Sequence, residues 1–163
     1  MAHIVKVHHA YVEESIPVLK SYLAKLEKVH LQSHPELEEI HRLFAEGAAA
    51  LTVHMKKEEL VLFPYIQSMV KAKREGIPLP EAHFGAIENP IQMMEDDHKA
   101  EGARFARISN LTQAYEIPND ACATFRVAYQ MLEEFENDLR THIHLENNIL
   151  FPMAMAMFAE LKG

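Results

Sequence analysis

The sequence predicts an all-α protein folded as an antiparallel four-helix bundle. Four long stretches repeat apolar residues at spacings of three and four, no stretch alternates like a strand, and turn residues cluster at the three boundaries. A chain of 163 residues suits one domain, 1–163, large enough to bury a core without disulfides.

The first helix is expected from about Ile16 to Leu31, with Ser15 as N-cap and Pro17 in its first turn. Leu19, Leu23, Leu26 and His30 share one of its faces. His34-Pro35 interrupts the chain, and a second helix runs from about Glu36 to Lys73. Its seam, Ile40, Phe44, Gly47, Leu51, His54, Glu58, Val61 and Tyr65, reads as an unbroken heptad pattern, with a kink expected at Pro64. Gly76, Pro78, Pro80 and Gly85 mark a loop. The third helix starts near Pro90, carries Ile91, Met94, His98 and Phe105 on one side, and ends near Ala114. Asn119 or Asp120 is expected to cap the fourth, which reaches about Ala159 along the seam Leu132, Phe135, Leu139, His142, Glu146, Ile149 and Met153.

Composition removes several function classes. A net charge of −8 argues against nucleic-acid binding, which needs clustered Lys and Arg. No run of eighteen apolar residues is present and the N-terminus does not read as a signal peptide, so no membrane partner and a cytoplasmic location are expected. Cys122 is the one cysteine, which leaves no internal disulfide or thiolate cage.

The eleven histidines are unusual, and position separates them. His54 and Glu58 occupy core positions of the second helix, and His142 and Glu146 those of the fourth. Burying such groups without partners costs roughly 2–7 kcal/mol each, and more for a charge. The sequence does so twice in one pattern: H-x3-E, then Leu62-Phe63-Pro64 in one copy and Leu150-Phe151-Pro152 in the other. A spacing of four places His and Glu on one helix face, able to bind one metal or two neighbouring ones. A single pair is as readily a buried hydrogen bond; two pairs, with His30 and His98 on the core faces of the other helices, favour metal. Imidazole and carboxylate without thiolate suit Fe, Mn or Zn. With His9, His30, His54, His98 and His142 terminal and Glu58 and Glu146 bridging, about nine bonds reach two metals. An oxo or hydroxo bridge adds two, leaving about one of twelve octahedral positions open. His9 reaches the cluster in this reading because Pro17 breaks the helix and the N-terminal segment folds back; His8 is the next candidate. His3, His34, His41 and His83 read as solvated, and His144 as surface or supporting. Asp97, in the acidic run beside His98, reads as solvated or as an orienting partner of a ligand imidazole.

The chain resembles the haemerythrin-like (HHE cation-binding) domain, and within it the repair-of-iron-centres family. The segments that carry the resemblance are His54-x3-Glu58-Glu59 with Leu62-Phe63-Pro64, Pro90-Ile91 through Met94-Glu95 to His98, Asp120-Ala121-Cys122, and His142 with Leu145-Glu146-Asn147-Asn148 and Leu150-Phe151-Pro152. The resemblance implies a haemerythrin-like bundle and a non-haem centre of two Fe ions on His9, His30, His54, Glu58, His98, His142 and Glu146, with His9 chosen over His8. It also implies repair of iron–sulfur clusters damaged by oxidative or nitrosative stress, with NO or O2 as small ligand, iron–sulfur client proteins as partners, and a homodimer as one oligomeric state. A haemerythrin-like carrier or sensor, or a di-iron NO reductase or peroxidase, is the alternative. Members often carry a small N-terminal domain with a cysteine pair, and steps needing those thiols are not expected of these residues.

Overall fold

The structure, a computed structural model, describes residues 1–162. A π-helical turn, Ile4–His9, runs directly into α1 (Ala10–His30). The second helix is α2 (Glu36–Lys57), a π-helical turn (Glu58–Leu62) and α3 (Phe63–Glu75). The third is α4 (Glu88–Leu111); the fourth is α5 (Ala123–Leu145), a π-helical turn (Glu146–Leu150) and α6 (Phe151–Lys162). No strand occurs among the described residues. α1 packs on α2 and α5, α2 on α4, and α3 on α6, which makes the four-helix bundle. No helix among them is long and apolar enough to cross a membrane.

The first helix corrects the sequence reading. It does not begin at Ile16; Ser15 is buried inside it and Pro17 lies within α1 without ending it. The missing N–H of Pro17 is outweighed by Val12, Leu19, Leu23 and Leu26, all buried along that face.

The heptad seams of the second and fourth helices are also corrected. Pro64 lacks the N–H that Leu60 would receive, and its ring crowds that carbonyl. Pro152 stands in the same relation to Asn148. In both copies a wide turn stands just upstream of the proline. A wide turn adds one residue, so the buried face moves on by one. Leu62, Ile66 and Met69 are buried in place of Val61 and Tyr65. Ile149 and Met153 are 45% and 62% exposed, while Phe151, Ala154 and Phe158 face inward.

The helix ends differ in detail. The second helix closes at Gly76, whose φ of 64° suits glycine, with its N–H bonded to the Ala72 carbonyl. α4 stops at Leu111, short of Ala114, because Gln113, Ala114 and Tyr115 all take positive φ. That strained turn is pinned by the Tyr115 hydroxyl, which donates to Glu136 Oε2 at 2.6 Å. Cys122, rather than Asn119 or Asp120, stands at the N-cap of α5.

Two apolar cores result. One includes Leu23, Phe44, Leu51, Phe105, Phe125, Phe135 and Leu139. The other includes Ile4, Leu62, Phe63, Ile66, Ile91, Met94 and Phe151. Along all four helices, buried histidines and glutamates stand between these sets.

Candidate metal centre

Each helix delivers its polar residues at the same height. His9 ends the first π-helical turn, and Glu58 and Glu146 open the second and third. His54 and His142 precede their glutamates by one turn, and His98 comes from the middle of α4. One donor atom each from His54, Glu58, His98, His142 and Glu146 lies within 4.8 Å of all the others, and all five residues are buried.

The contacts sort into two halves. Glu58 Oε1 is 3.2 Å from His54 Nε2, and its Oε2 is 3.2 Å from His9 Nε2 and 3.9 Å from His142 Nε2. Glu146 Oε2 is 3.2 Å from His98 Nε2 and 3.1 Å from His142 Nε2. His54 and His98 therefore form one pair, His9 and His142 another, and the two carboxylates span both.

Three of the outer ring nitrogens are tied down, while His142 Nδ1 is buried without a partner. His9 Nδ1 donates to Glu59 Oε1 at 2.8 Å, His98 Nδ1 to Asn147 Oδ1 at 2.8 Å, and His54 Nδ1 to Asp97 Oδ2 at 3.3 Å. Each bond places the proton on Nδ1 and leaves the Nε2 lone pair facing inward, the tautomer a metal requires. The sequence reading missed Glu59 and Asn147 in this role, although each directly follows its glutamate in both copies of the motif. His142 is held by packing, with the His8 ring stacked on it at 5.9 Å and His9 tilted at 5.2 Å. His8 is buried too, and its Nδ1 donates to Asp138 Oδ1 at 2.7 Å.

The residues present fit a cation. Both oxygens of Glu58 and of Glu146, and Nε2 of His9 and of His142, are buried without a directed hydrogen bond. His54 Nε2 and His98 Nε2 are 3.1 Å apart, lone pair toward lone pair once both Nδ1 atoms carry protons. Two nitrogens bound cis to one octahedral ion at about 2.1 Å stand about 3.0 Å apart. Without a cation the cluster compensates by sharing protons. Burial pulls His9 and His54 down, but Glu58, with Glu59 at one ring and Asp97 at the other, outweighs it and holds both above 6.5. Burial pushes Glu146 up, while His142 and His98 bring it well below the usual carboxylate range. An all-nitrogen and oxygen set with two spanning carboxylates fits two iron ions.

His30 is not brought to this cluster. It ends the same continuous helix whose π-helical turn holds His9, 21 residues further on, which is about 31 Å. The fold-back that would have united them does not occur, because Pro17 does not break the helix. His30 Nε2 lies 3.3 Å from Cys122 Sγ instead.

A further buried carboxylate lies beside the layer. Glu101, one turn beyond His98, is held above its ordinary range by burial, which Arg104 only partly offsets. It explains the glycine in the second seam, since a Cβ on Gly47 would come within 2.9 Å of Glu101 Oε2.

Replacing Asn147 by Leu is expected to weaken iron binding by tenfold or more, as loss of an orienting partner does. A chelator competition measures it. Unchanged affinity would mean that the stacked contact of His98 with Phe151, at 6.1 Å, fixes the ring unaided.

The chain is 35% identical over 152 residues to the iron–sulfur cluster repair protein YtfE of Yersinia pseudotuberculosis serotype IB, and equally to that of Yersinia pestis strain Pestoides F. Each match covers 93% of this chain and 63% of the relative, so the chain spans less than two thirds of the length of these proteins. The family model described as the Hemerythrin HHE cation binding domain matches residues 1–154, and the chain belongs to that family.

Proposed function

We propose that the chain holds a di-iron centre on His9, His54, Glu58, His98, His142 and Glu146, and with it supports repair of damaged iron–sulfur clusters in client proteins of the cytoplasm. The observation that carries the reading is the pair of buried carboxylates, each set between two buried histidines, three of which already have their outer nitrogens engaged. The relatives, iron–sulfur cluster repair proteins, suggest the cellular task. When bound, two ferrous ions with nitrogen and oxygen ligands supply an affinity for small diatomics such as NO or O2 and a store of exchangeable iron. The residues do the rest. Glu58 and Glu146 offset the charge of the cations. Glu59, Asp97 and Asn147 hold the Nδ1 side of the His9, His54 and His98 rings and aim each Nε2 inward. Leu51, Met55 and Leu139, buried beside them, exclude bulk water.

The reduced, iron-loaded protein is expected to change its visible spectrum on addition of NO, and to speed recovery of an NO-damaged iron–sulfur enzyme in a lysate. The Glu146→Ala protein should do neither. A spectral change with no recovery would overturn the repair role and leave binding or sensing of the diatomic. No change on NO, in a protein shown to hold two ferrous ions, would overturn diatomic chemistry at this centre.

A further inference from the structure

His30 belongs to a second group of imidazole, thiol and carboxylate side chains, at the opposite end of α1. His30 is the last residue of α1, and His34 follows one turn on, with its N–H bonded to the His30 carbonyl at 2.8 Å. Both imidazoles meet the ring of buried Phe125 edge-on, at centroid distances of 5.4 and 5.0 Å, which seats them side by side. Facing them are Asp120 and Cys122, at the start of α5. His30 Nε2 is 3.3 Å from Cys122 Sγ, and His34 Nε2 is 3.0 and 3.2 Å from the two oxygens of Asp120. His34 Nδ1 is 3.0 Å from Glu36 Oε1.

We propose that His30, His34, Asp120 and Cys122 form a second metal site, taking one divalent cation of the zinc, cobalt or ferrous type, separate from the centre inside the bundle.

The His34 contacts show why a cation belongs there. A neutral imidazole has one N–H, yet carboxylates face both ring nitrogens. Once Nδ1 donates to Glu36, the Nε2 lone pair confronts the lone pairs of Asp120, and only a second proton or a metal ion relieves that. The Glu36–His34 bond is also the carboxylate-to-imidazole support that fixes a metal-bound histidine.

The donor set is two nitrogens, one oxygen and one sulfur, suited to a borderline ion in tetrahedral coordination. Bonds of about 2.0–2.3 Å place tetrahedral donors roughly 3.3–3.7 Å apart, close to the spacing already found within each pair. The four donors stand as two pairs rather than one knot. The His30 and His34 ring centres are 6.3 Å apart, against about 5 Å for two imidazoles on one tetrahedral ion. Closure needs the two pairs to draw together. Asp120, with a side chain 58% exposed, and Cys122, also exposed, can follow that movement. The bundle centre has no sulfur donor and Cys122 is the one cysteine, so a thiolate signal reports on this site alone.

The test is a cobalt(II) titration of the iron-loaded chain. The expected result is a thiolate-to-cobalt charge-transfer absorption in the near ultraviolet, saturating at one cobalt per monomeric chain. It should vanish in Cys122→Ser, and cobalt affinity should fall tenfold or more in His30→Ala and in His34→Ala. The iron spectrum and the circular dichroism of all three variants should match the parent, which shows that they are folded. No thiolate band would overturn the site. A band that persists unchanged in both histidine variants would reduce it to a surface thiol. Saturation at half an equivalent, with a dimer on gel filtration, would show cobalt bridging two chains and overturn the four-donor site.

Discussion

Glu58→Ala and Glu146→Ala proteins are each expected to lose more than about 100-fold in iron affinity, beyond the 10–100-fold range typical of orienting partners. Each carboxylate contacts histidines from different helices, so truncating one removes a bond to each half of the cluster. It also leaves imidazoles crowded together with half their counter-charge. His9→Ala, His54→Ala, His98→Ala and His142→Ala proteins should hold less iron for the same reason. His30→Ala is the discriminating control. The family resemblance assigns His30 to the di-iron ligands, whereas the fold places it about 31 Å from His9 along a straight helix. Iron content by metal analysis should therefore match the parent in His30→Ala. A loss equal to that of His54→Ala would show that the first helix breaks at Pro17 in solution.

The second large effect is thermal. Loading the centre should raise the melting temperature at pH 7.5 by about 8–16 °C. That corresponds to about 4 kcal/mol when free iron exceeds its dissociation constant a thousandfold, at roughly 2–4 °C per kcal/mol for a chain of this size. The pH dependence of the two forms should run in opposite directions. In the metal-free protein His9 and His54 sit above 6.5. Their contribution to stability is complete below 6.5 and is lost as pH rises through their raised values. Glu146 lies below its ordinary 4.5. Its contribution is present above 4.5 and lost as pH falls beneath it. The metal-free protein is thus best stabilised by these groups between about 4.5 and 6.5. The loaded protein needs neutral imidazoles, so the cation's contribution grows as pH rises through the same upper range. Calorimetric melts at pH 5.5 and 7.5 measure the gap between the two forms. A gap that does not widen with pH would show that the layer is self-satisfied without iron.

Much of this molecule was legible in its sequence because one period dominates it. Leu19, Phe44, Leu51, Phe135 and Leu139 repeat at helical spacing, and the polar intruders His54, Glu58, His142 and Glu146 stand out against that pattern. The errors share a cause, which is that periodicity assumes a uniform helix. One wide turn after each glutamate moved the buried face from Ile149 and Met153 to Phe151 and Ala154. The prolines that explain those turns were visible, but a helix can answer a proline by kinking, ending or widening, and packing decides among them. From the sequence Pro17 reads as a break for want of that information, and only with that break does His30 reach the cluster. Glu59 and Asn147 escaped notice because a residue beside a ligand reads as surface until the facing helix is in place.

The polar layer has a consequence for how the chain comes apart. Leu51 and Leu62 lie on one helix but belong to different cores, and the same holds for Phe105 and Met94 and for Leu139 and Phe151. The natural frontier between cooperative units therefore cuts across the helices and not between them. The backbone and the histidine–glutamate layer join the two sides. Iron held in that layer would tie the two sides together, and the loaded bundle is expected to melt as one body. Without it, the end formed by α3, α6, the first turns of α4 and the Ile4–His9 turn is expected to open by itself while the end built around Phe44 and Phe135 stays shut.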